Sequence, residues 1–270
     1  MRKNLFRGLV LMLLVLNPLA GEAKFPGFFS HLEIGYSYPI AIAKFEGYNP
    51  VYNYSGTGDF GISLGDTFVT RTVRSKFAYG GYVGSSIRLK RTGSKSALAM
   101  HIDVMANAYV WEDLYKAYSN FDGGEYDLPD LVVAVGYQLG VPISLDFKFG
   151  AGAIGNKNSR FTGSFGAGAM PAAYFMVATS GGNVGGGMSF TATPFVKGEI
   201  GVMAGICMKV RALVAFGAVP WIDNQKSFLA SSSGGFTVTG QTTAVFSVVF
   251  MPFSWAWKKD GWWDNDFKYN

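Results

Sequence analysis

HLEIGYSYPIAIAK, residues 31–44, changes character at every second position. Leu32, Ile34, Tyr36, Tyr38, Ile40 and Ile42 form one series, large and apolar. His31, Glu33, Gly35, Ser37, Pro39, Ala41 and Ala43 form the other, small or polar. Successive side chains of a strand point to opposite faces, so this is a two-faced strand. In a soluble sandwich the large apolar face would be the core. In a membrane barrel it would face lipid, and the small polar face would fill the interior.

Seven further segments repeat the pattern. Residues 77–89 set Phe77, Tyr79, Val83, Ile87 and Leu89 against Gly80, Gly84, Ser86 and Arg88. Residues 98–110 oppose Leu98, Met100, Ile102 and Val104 to His101, Asp103 and Asn107. Residues 131–141 and 145–150 follow, the second setting Leu145, Phe147 and Phe149 against Asp146 and Lys148. Three more segments lie near 190–202, 209–218 and 236–250. Their polar faces carry Lys197 and Glu199, then Lys209 and Arg211, then Thr237, Thr239 and Ser247. Short links are expected around Gly93, Pro142 and Gly205. Long ones are expected over 45–76, 111–130, 155–187 and 220–235.

Short turns at one end and long loops at the other mark transmembrane barrels. Segments of about ten residues suit a tilted strand of ~9–11 that crosses the bilayer core. Closure removes free strand edges, which lipid does not tolerate. The expected fold is all-β: a closed antiparallel transmembrane β-barrel of eight strands, with ten as the alternative. The alternative comes from residues 161–187, where apolar residues run without clean alternation. That stretch reads as a lumenal loop, a short helix or an extra hairpin.

The ends fit an exported chain. Arg2, Lys3 and Arg7 precede the apolar run 9–16, and Gly21-Glu22-Ala23 has the form of a cleavage site. Residues 1–23 therefore read as a signal peptide, 24–253 as the barrel and 254–270 as an aromatic-rich tail. Removing Arg2, Lys3, Arg7 and Glu22 leaves 20 bases and 17 acids, a net charge of +3 that calls for no nucleic-acid partner. The lone Cys207 excludes an internal disulfide. Aromatics at 16% and charged residues at 15% argue against disorder.

Signal peptide, eight alternating segments and unequal loops together resemble the small outer-membrane β-barrel proteins of diderm bacteria. The outer-membrane protein W-like and X-like barrels are the nearest. FGAGAIGNK, residues 149–157, is similar to the glycine-rich fifth strand of the W-like type. The resemblance implies a bacterial outer-membrane location, contact with outer-membrane lipid and insertion by the outer-membrane assembly machinery. It also implies a narrow, porin-like channel or carrier for small or apolar solutes. A non-transporting surface barrel, adhesive toward a host-surface partner or structural, is the alternative. Such barrels commonly end on a terminal aromatic, here Phe250 or Phe253. SWAWKKDGWWDNDFKYN follows instead, and Trp255, Trp257, Trp262 and Trp263 suit a membrane-interface girdle.

Chemistry-bearing motifs are sparse. Gly150-Ala151-Gly152-Ala153-Ile154-Gly155 has the form GxGxxG, but no helical pattern or acidic partner follows it, so these glycines read as part of the wall. His101 and Asp103 share a strand face low in the barrel, where a hydrogen-bond network fits better than a hydrolase site. Two histidines and one cysteine make a poor metal set. The expectation is therefore no enzyme, no cofactor and no metal. The constellation that remains is an interior charge network of Glu33, Arg88, His101, Asp103, Asp146, Lys148, Lys197, Glu199 and Arg211. The tyrosine- and asparagine-rich stretch 47–66 suits an exposed loop.

Overall fold

The computed structural model describes residues 31–54, 60–111, 133–154, 159–180, 183–222 and 237–257. The expected signal peptide, Trp262 and Trp263 lie outside them, as do most of the two long links 111–130 and 220–235. Among the described residues no helix is long and apolar enough to cross a membrane.

Ten strand segments form one antiparallel sheet: β1 (Glu33–Tyr54), β2 (Phe60–Arg74), β3 (Phe77–Gly93), β4 (Ser96–Trp111), β5 (Val133–Gly140), β6 (Ile143–Gly150), β7 (Phe161–Ser180), β8 (Asn183–Ala204), β9 (Ile206–Ile222) and β10 (Thr237–Met251). A short helix α1 (Ala151–Ile154) follows β6, and a 3-10 turn (Pro252–Ala256) follows β10. The first strand pairs with the last, from Ile34 opposite Phe250 to Glu46 opposite Thr237, and the sheet closes into a barrel.

Ten segments make eight strands, because two pairs lie end to end. Both β2 and β3 pair with β1, through Tyr54–Phe60 to Ile42–Arg74 and then Ser37–Gly80 to Glu33–Gly84. Both β5 and β6 bridge β4 to β7. The first break is stitched by Ser75, whose N–H donates to the Ala41 carbonyl while its hydroxyl accepts from the Ala41 N–H. The second is at Val141–Pro142. There Val141 N–H donates to the Pro171 carbonyl at 2.9 Å, and the Pro142 carbonyl accepts from Asp103 N–H at 3.0 Å.

The strand count thus agrees with the sequence reading, but two boundaries do not. Pro142 is not a turn: it sits within a single strand, where its missing N–H interrupts the ladder for one residue without reversing the chain. Residues 155–187 are not a long link. Over 161–180 they form β7, whose 20-residue pairing with β8 is the longest in the sheet. The alternation in β7 is real but faint, because Gly166, Ala167, Gly168, Ala169, Ala172 and Ala173 fill both faces with small residues. Most of the stretch 47–66 likewise belongs to the β1–β2 hairpin. Of the GxGxxG glycines, Gly150 ends β6 and turns the chain at φ +74° into α1, which holds Gly152, and Gly155 lies outside the described residues.

The opening segment resolves as a membrane strand. Ile34, Tyr36, Tyr38 and Ile42 point out, while Glu33, Ser37, Ala41, Ala43 and Phe45 are buried inside. The outward face is apolar around the wall, with Phe161, Phe190 and Ile200 each at least 70% exposed. A surface this apolar around a charged interior inverts the soluble arrangement and suits lipid.

Candidate functional site

The barrel interior has two layers, both set by the inward series of the strands. The layer near the start of β1 and the end of β10 is ionic. Glu33, Asp103, Asp146 and Glu199 face Lys148, Lys197, Lys209 and Arg211, four acids against four bases, none more than 5% exposed. Arg211 is the hub. Its Nη1 donates to Asp103 Oδ2 at 2.8 Å, its Nε to Glu199 Oε1 at 2.7 Å and its Nη2 to Glu33 Oε2 at 2.5 Å. Its guanidinium lies 4.2 Å from the Tyr82 ring. Lys209 Nζ bridges Glu33 and Glu199 at 2.5 and 3.0 Å. Lys197 pairs with Asp146 at 2.9 Å. Lys148 donates to Ser86 Oγ at 2.8 Å and lies 3.9 Å from Glu33. His101 sits 2.8 Å from Asp103 and 3.3 Å from Asp146. Buried charges require this degree of pairing, since an isolated ion in a low-dielectric interior is strongly destabilising.

Eight of the nine expected network residues meet in this layer. Arg88 is half-buried at its edge, within electrostatic reach of His31. Lys209 was missing from the expected set, although its inward position follows from alternation with Arg211. Tyr82, on the same inward face of β3 as Gly80 and Gly84, is the ring beneath Arg211.

The second layer, toward the other end, is aromatic. Trp221 stands edge-on to Tyr174 at 4.9 Å, Tyr109 at 5.2 Å and Trp111 at 6.1 Å. Gly136 and Gly240 make room for it, since a Cβ at either would come within 2.9 Å of the indole. Gln138 ties the layer together: its Oε1 accepts from Tyr109 OH at 2.6 Å and from Asn107 Nδ2 at 3.0 Å, and its Nε2 donates to Tyr174 OH at 3.1 Å. This layer escaped the sequence reading because Tyr174 and Trp221 lay in stretches read as links. Two small voids, one beside Tyr174 and Thr193 and one beside Tyr82 and Arg211, are each about 10 Å³, room for roughly one water.

Two arrangements bear on chemistry. Glu33, His101 and Glu199 bring ligand atoms within 4.8 Å of one another, a spacing a metal ion could use. Lys209 and Arg211 already hold both carboxylates, so an ion would have to displace them. His101 and Asp103 are paired, but the nearby Ser144 donates to Asp146 at 2.7 Å rather than to the imidazole.

No family model matches the sequence, and no curated protein matches it. Among solved structures the chain is similar to the outer membrane protease OmpT of Escherichia coli, at TM-score 0.37 and 8% identity over 81% of this chain and 96% of that one. It is also similar to Ail, the attachment invasion locus protein of Yersinia pestis, at 0.32 and 8% over 80% and 97%. A third likeness is to the outer membrane protein AlkL, at 0.31 and 10% over 84% and 93%. Scores of this size leave the assignment to the chain's own geometry. A closed antiparallel wall of eight strands, apolar outside and ionic within, makes this chain a small β-barrel of the membrane-spanning kind.

Proposed function

We propose that this barrel does not conduct solutes from end to end and instead works at the cell surface through its outer half. The observation that carries this reading is the balanced ionic layer. Four acids and four bases from β1, β4, β6, β8 and β9 fill the cross-section, and an eight-stranded barrel is only wide enough for side chains to fill it. The aromatic layer supports the same reading. The protein is then a non-transporting surface barrel, adhesive or structural, with no catalytic role for the deeply buried His101–Asp103 pair.

One observation favours a second reading, a carrier for apolar solutes. The β8–β9 ladder stops at Phe195–Ala215, although β8 reaches back to Asn183 and β9 on to Ile222. Pro194 has no N–H to continue it, and Gly217 opposite turns aside at φ +131°. A small cavity beside Tyr174, Thr193 and Gly217 meets this seam. A solute in the outer half could leave through it sideways into lipid, leaving the ionic layer shut.

Single-channel recording of the refolded protein in a planar bilayer tests the first reading. A silent membrane is expected, with folding confirmed by a heat-dependent gel shift. Lys148→Ala combined with Arg211→Ala should introduce discrete steps. Steps from the unaltered protein would overturn the proposal. A silent membrane together with protein-dependent transfer of a radiolabelled alkane into vesicles would select the second reading.

A further inference from the structure

The wall ends at Met251, but the described chain does not. Pro252 opens a 3-10 turn that cannot extend the β10 ladder. The turn bends inward and is fastened there. Ser254, fully buried, accepts from the Cys207 N–H at 2.7 Å and donates to the Met251 carbonyl at 2.6 Å. Trp257 N–H closes the turn onto the Ser254 carbonyl at 3.2 Å.

This segment has two faces. Phe253 and Trp255 are exposed at 43% and 61%, while Trp257 is 1% exposed. Its indole packs with Cys207, Met251 and Ala151 and lies 5.3 Å from the buried His31 ring, ring centre to ring centre. These partners come from four places around one mouth of the barrel: the stretch just before β1, the start of α1, the start of β9 and the end of β10. The ionic layer begins immediately behind them, because Glu33 is two residues from His31 and Lys209 two residues from Cys207.

We infer that residues 252–257 form an inner lid, hinged at Pro252, latched by Ser254 and stopped by Trp257, which keeps water at the inner mouth away from the ionic layer. The wall closes the barrel sideways and the lid closes it at the end. The strength of the buried ion pairs depends on their dryness, so the lid supports the network without touching most of it. The lid stands apart from the question of conduction, since a barrel blocked by its own side chains can still be wetted from one end.

Cys207 is the only cysteine of the chain and lies fully buried under the lid, so its thiol reports opening without any engineered label. The experiment measures the rate at which a charged methanethiosulfonate reagent modifies Cys207 in the refolded full-length protein. The unaltered protein should react at least tenfold more slowly than the urea-unfolded chain. Trp257→Ala should react at least tenfold faster than the unaltered protein while keeping its heat-dependent gel shift. Ser254→Ala should fall between them, and Phe253→Ala, on the outward face, should leave the rate unchanged. An unchanged rate in folded Trp257→Ala would overturn the inference, as would equal acceleration by Phe253→Ala. Should Trp257→Ala fail to fold, hydrogen exchange of the unaltered protein decides instead. The Cys207 amide should be protected and released together with residues 252–257, and release together with the rest of β9 would refute the lid.

Discussion

Replacing Arg211 by methionine keeps a long, flexible side chain but removes the cation that holds three carboxylates. Glu33, Asp103 and Glu199 would then share Lys209 and the neighbouring lysines, and the layer would carry one uncompensated negative charge. Removing one partner of a buried ion pair destabilises by about 3–5 kcal/mol, because the remaining charge stays desolvated. With a urea slope of about 2 kcal/mol per molar, the unfolding midpoint should fall by about 1.5–2.5 M. The assay is the folded fraction by gel shift after equilibration in urea with lipid vesicles. A second substitution, Glu199→Gln, restores the charge balance in the Arg211→Met background. The double variant should recover part of the loss, giving a coupling of about 0.5–3 kcal/mol between the two sites. A midpoint shift under 0.5 M for Arg211→Met, or a double variant whose loss equals the sum of the single losses, would refute the reasoning that this layer is dry and tightly paired.

Burial, and then the charges of Lys148, Lys209, His101 and Arg88, hold the His31 imidazole well below its usual value. The unfolded chain takes up this proton below about pH 6.5 and the folded one does not, so stability present above that pH should fall as the pH drops through it. Urea midpoints at pH 8 and pH 5 check this, and His31→Gln should flatten the acid limb. At Gly136 an added Cβ would lie 2.9 Å from the Trp221 ring, so Gly136→Ala should destabilise by about 1–3 kcal/mol and shift the indole fluorescence. Gly198→Ala, where nothing lies within 4 Å, should stay within about 0.5 kcal/mol of the unaltered protein. Trp221→Ala removes the centre of the aromatic layer and should destabilise by about 3–5 kcal/mol. Its bilayer recordings should nonetheless stay silent while Arg211 is intact.

Alternation alone told which side of each strand is which. The inward set Glu33, Ser37, Ala41 and Ala43 can be read from residues 31–44 without any structure, because side-chain direction in a strand is a local property with period two. Inward placement of His101, Asp103, Asp146, Lys148, Lys197, Glu199 and Arg211 follows by the same rule. The rule weakens where both faces are small, as in β7, and where one residue interrupts the ladder, as at Pro142. In those places the neighbouring strand, not the local sequence, holds the chain extended. Who meets whom was decided only by closure. Arg211 finds Glu33 from 178 residues away and Asp103 from 108, and no local pattern specifies such distances. The lid shows the same division. Its tryptophans suit a membrane interface by composition, and Trp255 is indeed exposed, yet Trp257 two residues later is buried against His31. Sequence sets the direction of each side chain relative to its own backbone. Register and ring closure decide which side chains share a space, because those are properties of the whole sheet.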